Sequence, residues 1–393
     1  LKKIHGSSVR RVAALLIGAT LVLPTAQYAP VVRAAGVQFT LAGSTQMFTL
    51  GALMANRYQN VNPNVNINPI PSTSQRGFDD ACTKSIALGM SDIYIQDSQL
   101  REGLLCSDMI AIPVAVSATP VVYNLPGAYF TALNQKIGDG FTLQHPVKLT
   151  AQVLASIYMG KIRKWNDPAI TSLNPGATLP AQAIRAFNSA EPGSSGFVFN
   201  QWLSLSVPAW NSAVGVAIAP SWPVGYSIGT PSSAQMVQYI KSTPYSIGFV
   251  GFDYAIGNKL QAASLENASS VFLTPSLVGL SKAIGDQLNI GMPSDFRRPF
   301  VTVPGKTAFN PADFEFFIVH RNLVQAGFEP AVRQAVKGFL EWAVASNGGQ
   351  AFIQEIELQK IGNGTKTELA HGFVPVPPEI REASQHAVDS III

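Results

Sequence analysis

The chain has 393 residues, 47% apolar and 13% charged, with 27 Lys and Arg against 23 Asp and Glu. That length suits two or three domains or one large two-lobed one, and the composition excludes a disordered chain. The net charge of +4 does not indicate nucleic acid: residues 1–34 hold five cations (Lys2, Lys3, Arg10, Arg11, Arg33) and no acid, which leaves 27 − 5 = 22 cations against 23 acids elsewhere.

From the N-terminus, residues 1–11 are basic and polar, and an apolar run from Val12 to Leu23 ends at Pro24. The run is too short to span a bilayer but suits the core of an export signal, with cleavage expected after Ala34 or Ala35. Residues 1–35 are therefore read as a signal peptide, and the mature chain as exported to the periplasm or cell exterior. The two cysteines exclude a disulfide-rich scaffold and a four-cysteine zinc site. In an oxidising compartment Cys82 and Cys106 are candidates for one disulfide; two buried thiols are the alternative.

The mature chain alternates β-type runs with helical periods, the pattern of an α/β fold. Strands are expected at 37–41, 65–69, 91–95, 109–124, 184–187, 247–252 and 314–320. Helices are expected at 46–59, 75–88, 150–158 (with Thr150 as cap), from about 194 to 203, and 329–346. No repeat, charge block or clear linker divides the chain, so any lobes are interleaved.

Three polar turns precede helices: Gly43-Ser-Thr-Gln46, Ser72-Thr-Ser-Gln75 and Gly193-Ser-Ser-Gly196. Each places hydroxyls and unpaired backbone N–H groups at a helix start, which carries about half a positive charge and favours anions. Such turns also serve as plain N-caps. Three of them converging on one cleft would hold a small oxyanion through neutral donors.

The stretch Ala155–Pro180, with Ile157-Tyr-Met-Gly-Lys-Ile-Arg-Lys-Trp165 and Leu173-Asn-Pro-Gly-Ala-Thr-Leu-Pro180, resembles a signature of the phosphate-binding proteins of bacterial ABC importers (the PstS type). Leu41–Thr45, Ile70–Ser74, Gly89–Asp92, Gly193–Phe199 and Tyr245–Val250 resemble further motifs of that family, in the same order. The resemblance covers roughly residues 37–385 and is weak around 125–145 and 255–300. It implies a two-lobed periplasmic-binding ("flytrap") fold with two hinge crossings. Lobe 1 is expected at 36–120 plus 315–393 and lobe 2 at 121–314, closing on ligand by hinge motion. The first crossing is expected after the Ile110–Asn124 run and the second after Phe314–His320.

Carried over residue by residue, the resemblance implies ligand contacts from Thr45, Ser72, Gly193, Ser194 and Ser195, and from Gln46 through its backbone N–H. Asp92 is implied as the acceptor that tells a protonated oxyanion from an unprotonated one. The family's site arginine aligns with Ser189, which leaves the site short of a cation. Arg76 is a candidate replacement, and Arg185 another if the alignment shifts by four.

No cofactor is implied. The five His are scattered and do not suggest a metal site, and Gly193-Ser-Ser-Gly196 is not a nucleophile elbow. The expected function is capture of phosphate or a similar oxyanion by a non-enzymatic monomer that delivers it to an ABC permease in the inner membrane. The alternatives are the same fold tuned to another small ligand, a surface or matrix protein, and a secreted phosphoester hydrolase.

Overall fold

A computed structural model describes residues 36–100, 106–126, 146–190, 192–357, 360–361, 366–367 and 371–393. The expected signal peptide lies outside the described residues. The chain begins with β1 (Val37–Ser44), α1 (Thr45–Val61), β2 (Val65–Ser72), α2 (Ser74–Cys82), β3 (Leu88–Ser91), β4 (Met109–Ala118) and β5 (Val121–Asn124). The middle holds β6 (Lys148–Leu149), α3 (Ala151–Tyr158), α4 (Pro168–Thr171), β7 (Arg185–Ser189), α5 (Ser194–Ser206) and α6 (Pro208–Ala213). Next come β8 (Ser227–Thr230), α7 (Ser233–Ser242), β9 (Ser246–Phe249), α8 (Phe252–Gly257), β10 (Gln261–Ala262), β11 (Ser264–Glu266), β12 (Phe272–Leu273) and α9 (Leu277–Ile290). The last third contains β13 (Ala312–His320), α10 (Pro330–Val344), α11 (Gly349–Glu357), β14 (Lys360–Ile361), β15 (Lys366–Thr367), β16 (Val374–Pro375) and α12 (Pro378–Asp389).

Two mixed sheets carry the fold, one in each lobe. The first has the order β16-β4-β13-β3-β1-β2 and the second β10-β5-β9-β7-β8. In the first, β1 runs parallel to β2 with Ser44 beside Ser72. In the second, β7 runs parallel to β8 with Ser189 beside Thr230. Each lobe thus ends two neighbouring parallel strands side by side, the place where open α/β sheets bind ligands.

The apolar run 109–124 is two strands in different sheets, parted at Thr119-Pro120, because proline has no N–H to continue a ladder. The first crossing therefore falls inside the expected run. The strand expected from Phe314 begins at Ala312 and belongs wholly to the first sheet, so the return crossing precedes it.

The helix expected over 75–88 stops at Cys82, where Lys84 takes a left-handed φ of 64°. The strand expected at 91–95 lies earlier, at Leu88–Ser91, because those residues pair with β1 and β13. Beyond them the Ser91 hydroxyl bonds both the N–H and the carbonyl of Ile93 and turns the chain away. The strand expected over 247–252 ends at Phe249, and Phe252 opens α8.

One core packs α1 and α10 on the first sheet, through Leu41, Met54, Phe317 and Phe339. In the second lobe Tyr158, Phe199, Trp210, Trp222 and Phe249 form an aromatic block, with Phe199 stacked on Phe249 at 4.3 Å. The tryptophans are thus packing residues, and each indole N–H of this lobe's Trp165, Trp210 and Trp222 has a partner.

Cys82, at the end of α2, is bonded to Cys106 with Cα atoms 5.0 Å apart and a sequence separation of 24. A closed loop of this length stabilises by about 3 kcal/mol on the chain-entropy argument. Cys82→Ser with Cys106→Ser is expected to lower the unfolding free energy by that amount in urea titrations. An unchanged midpoint would mean that the bridge does not restrain the unfolded chain.

Candidate functional site

Four helices start around one small cavity of about 30 Å³. From the first lobe, Thr45 opens α1 and the Ser72-Thr73 pair precedes α2. From the second, Gly193 and Ser195 belong to the start of α5, and Ser232 and Ser233 to the start of α7. Ser189 and Thr230, side by side at the strand ends, close the floor. Among the described residues, the polar side chains that line the cavity are Ser and Thr hydroxyls, with no Lys, Arg, His or carboxylate.

The first-turn N–H groups are not equally available. Ser44 Oγ accepts from Gln46 N and Met47 N at 3.1 and 3.3 Å. Thr73 caps Arg76 N, and Ser232 caps Gln235 N. Only α5, of these four, has no side-chain cap, so its first amides remain open to a ligand. Its cap is Gly193, with φ of 119°, a conformation that L side chains rarely adopt; a Cβ there would also press on Ser74 N at 3.3 Å, across the cleft. Glycine here lets the second lobe's helix start approach that of α2.

Five expected site residues, Thr45, Ser72, Ser189, Gly193 and Ser195, come together in this cavity. Ser194 is the first residue of α5. The other four do not line this cavity. Gln46 does not offer its backbone N–H to the cavity, because Ser44 Oγ takes it. Arg76 lies on the exposed side of α2, where its Nε donates to Asp80 Oδ2 at 2.7 Å, one turn away from the helix start. Arg185 is exposed at the far end of β7, roughly 13 Å of strand from Ser189. Asp92 is buried but does not line the cavity; it accepts a hydrogen bond from the Ser74 hydroxyl.

Behind the cavity lies a polar cluster that sequence reasoning missed. Gln46 is fully buried, and its amide Nε2 donates to Asp313 Oδ2 at 3.0 Å and to Glu315 Oε1 at 3.3 Å. Its Oε1 accepts from Ser195 Oγ at 3.0 Å. Thr49 Oγ1 donates to Asp253 Oδ2 at 3.3 Å. The bonds to Ser195 and Asp253 join α1 of the first lobe to α5 and α8 of the second, and those to Asp313 and Glu315 join it to β13. Burial pushes Asp253 up to about 8 and raises Asp313 and Glu315 well above the usual carboxylate range, with the neighbouring carboxylates adding to the effect. Asp313 and Glu315 sit at alternate positions of β13 and so share one face, a spacing visible in Ala312-Asp-Phe-Glu-Phe316. Thr230, Ser232 and Ser233 were also missed, although Thr230-Pro-Ser-Ser233 repeats the polar-turn pattern of the other three.

Among the described residues no group of three or more His, Cys, Asp or Glu is arranged to hold a metal ion. No described helix is long and apolar enough to cross a membrane.

The chain belongs to the PBP superfamily, whose domain matches residues 29–347. Within it the chain is of the PstS type. It is 27% identical to the phosphate-binding protein PstS of Methanocaldococcus jannaschii over 410 residues, covering 98% of this chain and 97% of that protein. It is 29% identical to PstS of Pasteurella multocida over 350 residues, covering 88% of each. Among solved structures, PfluDING, a high affinity periplasmic phosphate-binding protein bound with phosphate, has the same fold, with a TM-score of 0.64 at 14% identity over 89% of this chain and 93% of that one.

Proposed function

We propose that this is an exported solute-binding protein that captures phosphate or a closely related oxyanion between its lobes and delivers it to an ABC permease, without catalysis. The lobes in this reading are residues 36–120 with 312–393, and 121–311. The observation that carries it is the meeting of four helix N-termini, two from each lobe, on one cavity whose polar side chains, among the described residues, are neutral hydroxyls. Partial positive charge and unpaired amides suit an oxyanion, and ligand contacts from both lobes reward closure. The names of the matched relatives, phosphate-binding proteins, support the same ligand.

The test is a thermal melt of the chain from residue 36 in phosphate-free buffer, with phosphate, arsenate, sulfate and chloride titrated at matched ionic strength. Phosphate at 100 times its Kd is expected to stabilise by about 2.7 kcal/mol, read as a raised midpoint. No rise with any anion would sink the reading and favour a surface role for the fold.

A further inference from the structure

We infer that the end of the second lobe remote from the cavity is a docking face for an anionic lipid surface, formed by the cations Lys161, Arg163, Lys164 and Arg185 around the exposed side chains of Val224 and Tyr226, with Ile228 beside them.

Backbone pairing and ring contacts bring these residues together. Lys164 bridges antiparallel to Ala183, and Ile184 N donates to Arg163 O at 2.8 Å, so Arg185 follows directly. The next two residues, Ala186 and Phe187, pair with Ser227 and Ile228 of β8. The Arg163 guanidinium lies 4.9 Å from the centre of the Tyr226 ring, and its Nε donates to Gly160 O at 3.0 Å. Tyr226 in turn covers Gly160, where a Cβ would meet the ring at 2.1 Å. β8 is the last strand of its sheet, which leaves Ile228 at an open edge. The parallel strands β7 and β8 end at the cavity with Ser189 and Thr230, so Arg185 and Tyr226 stand at the opposite end. A partner on this face leaves the cleft free to open.

The charge is local. Residues 156–190 and 214–246 hold five cations (Lys161, Arg163, Lys164, Arg185, Lys241) and one acid, Asp167, whereas the chain after residue 34 has 22 cations and 23 acids. Asp167 accepts from Ala169 N as the cap of α4. None of the five cations is in an ion pair among the described residues. The apolar part protrudes: Val224 is 93% exposed, Ile228 60% and Tyr226 40%. An aliphatic tip, a tyrosine beside it and a ring of cations match the three depths of an anionic membrane surface. The tip reaches the acyl boundary, the tyrosine lies at headgroup level, and the cations meet the lipid phosphates. A nucleic acid would engage the cations and leave Val224 and Ile228 in water. A protein that delivers its ligand to a membrane permease gains from being held near that membrane.

The experiment sediments the chain from residue 36 with vesicles, because residues 1–34 carry cations and an apolar run of their own, and the chain from Ala35 on forms one compact unit. The vesicles are phosphatidylcholine with about 30% phosphatidylglycerol, compared with pure phosphatidylcholine, at about 0.05 M NaCl. Binding to the anionic vesicles is expected to be at least tenfold tighter, and to fall at least tenfold at about 0.5 M NaCl. Each cation near such a surface is worth about fivefold in affinity, so Lys161→Gln, Lys164→Gln and Arg185→Gln together should weaken binding at least thirtyfold. Val224→Ser with Ile228→Ser should weaken it at least fivefold at either salt concentration. Lys84→Gln, Lys282→Gln and Lys306→Gln, the same loss of charge elsewhere, should leave it within threefold. No binding to the anionic vesicles would overturn the inference. An equal loss in the two charge variants would do so too, since the attraction would then belong to no face. Full binding by the Val224 and Ile228 variant would exclude the seated tip and overturn it independently of the charge variants. A concentration-dependent dimer that this variant disperses, without vesicle binding, would assign the face to a second copy of the chain instead.

Discussion

Raising the pH from 5 to 8 is expected to lower the unfolding free energy, opposite to the usual trend for a protein whose carboxylates are paired. Asp253, Asp313 and Glu315 are buried, and none is in an ion pair among the described residues. Asp253 Oδ1, Asp313 Oδ1 and Glu315 Oε2 have no hydrogen-bond partner among the described residues. Desolvation therefore favours the neutral acids, and Asp253 keeps its proton up to about pH 8, against 3.8 for an exposed aspartate. Between those values the native state holds a proton that the unfolded state has lost. Stability from this group is fully present below pH 3.8 and declines as pH rises toward 8, by about 1.4 kcal/mol per unit. Over pH 5 to 8 that is roughly 4 kcal/mol for Asp253 alone, and Asp313 and Glu315 act in the same direction. His371, held below its ordinary value of 6.5 by burial, has the opposite sign, but its contribution is complete once the pH exceeds 6.5. Urea titrations at pH 5, 6, 7 and 8 read the slope directly. Asp253→Asn should flatten it by about one proton. Stability that stays level or rises across this window would show that the carboxyls ionise in the folded protein.

The same cluster bears on closure. The Thr49–Asp253 and Gln46–Ser195 bonds both run between the lobes, so the carboxyls sit where α1 meets α5 and α8. A third interlobe contact, Gln201 Nε2 to Tyr94 Oη at 2.8 Å, carries no charge. Ionisation of Asp253 places a charge at one of these junctions and not at the other, so alkaline loosening should begin around α8.

How much of this was legible in the sequence depended on the kind of signal. The β1–α1 and β2–α2 units could be read because their alternation is interrupted by a polar turn, and that turn is also the site. The most family-specific stretch, Ala155–Pro180, lies away from the cavity and builds the second lobe. Trp165 is buried with its indole N–H on Tyr245 O, Asp167 caps α4, and Asn174 ties Lys148 to Ile170 through its side chain. A strong resemblance in this region therefore identified the fold without locating the chemistry. The misplaced residues failed for another reason. Arg76 was plausible by position on the first turn of α2, but whether its side chain reaches back to the cavity or forward to Asp80 is decided by the i, i+4 partner. The role of Gln46 emerges only when β13, some 270 residues later, brings two carboxyls against it. Sequence spacing carries no trace of such a contact.

Gly43→Ala and Gly77→Ala are expected to be severely destabilising and to abolish anion binding together. Gly43 has φ of 148°, outside the range that alanine adopts easily, and a Cβ there would run into the Met90 carbonyl of β3. Gly77, in the first turns of α2, would place a Cβ 2.7 Å from the same carbonyl and 2.8 Å from Gly43 Cα. Both obstacles are backbone atoms of a central sheet and cannot step aside. Strain at the one position and overpacking at both amount to about 3–5 kcal/mol for Gly43 and about 2–3 kcal/mol for Gly77. The functional loss follows from the same geometry. Gly43 sits two residues before Thr45, and Gly77 lies within α2, so relief of either clash displaces a helix start that lines the cavity. Gly285→Ala, in the middle of α9 with open space around it, is the control, expected to stabilise by about 0.5–1 kcal/mol and to leave binding unchanged. Melting each variant with and without phosphate separates the two effects. A Gly77→Ala protein that melts normally and still gains stability from phosphate would mean that α2 can shift without losing its hold on the anion, and that its N-terminus is not a fixed part of the site.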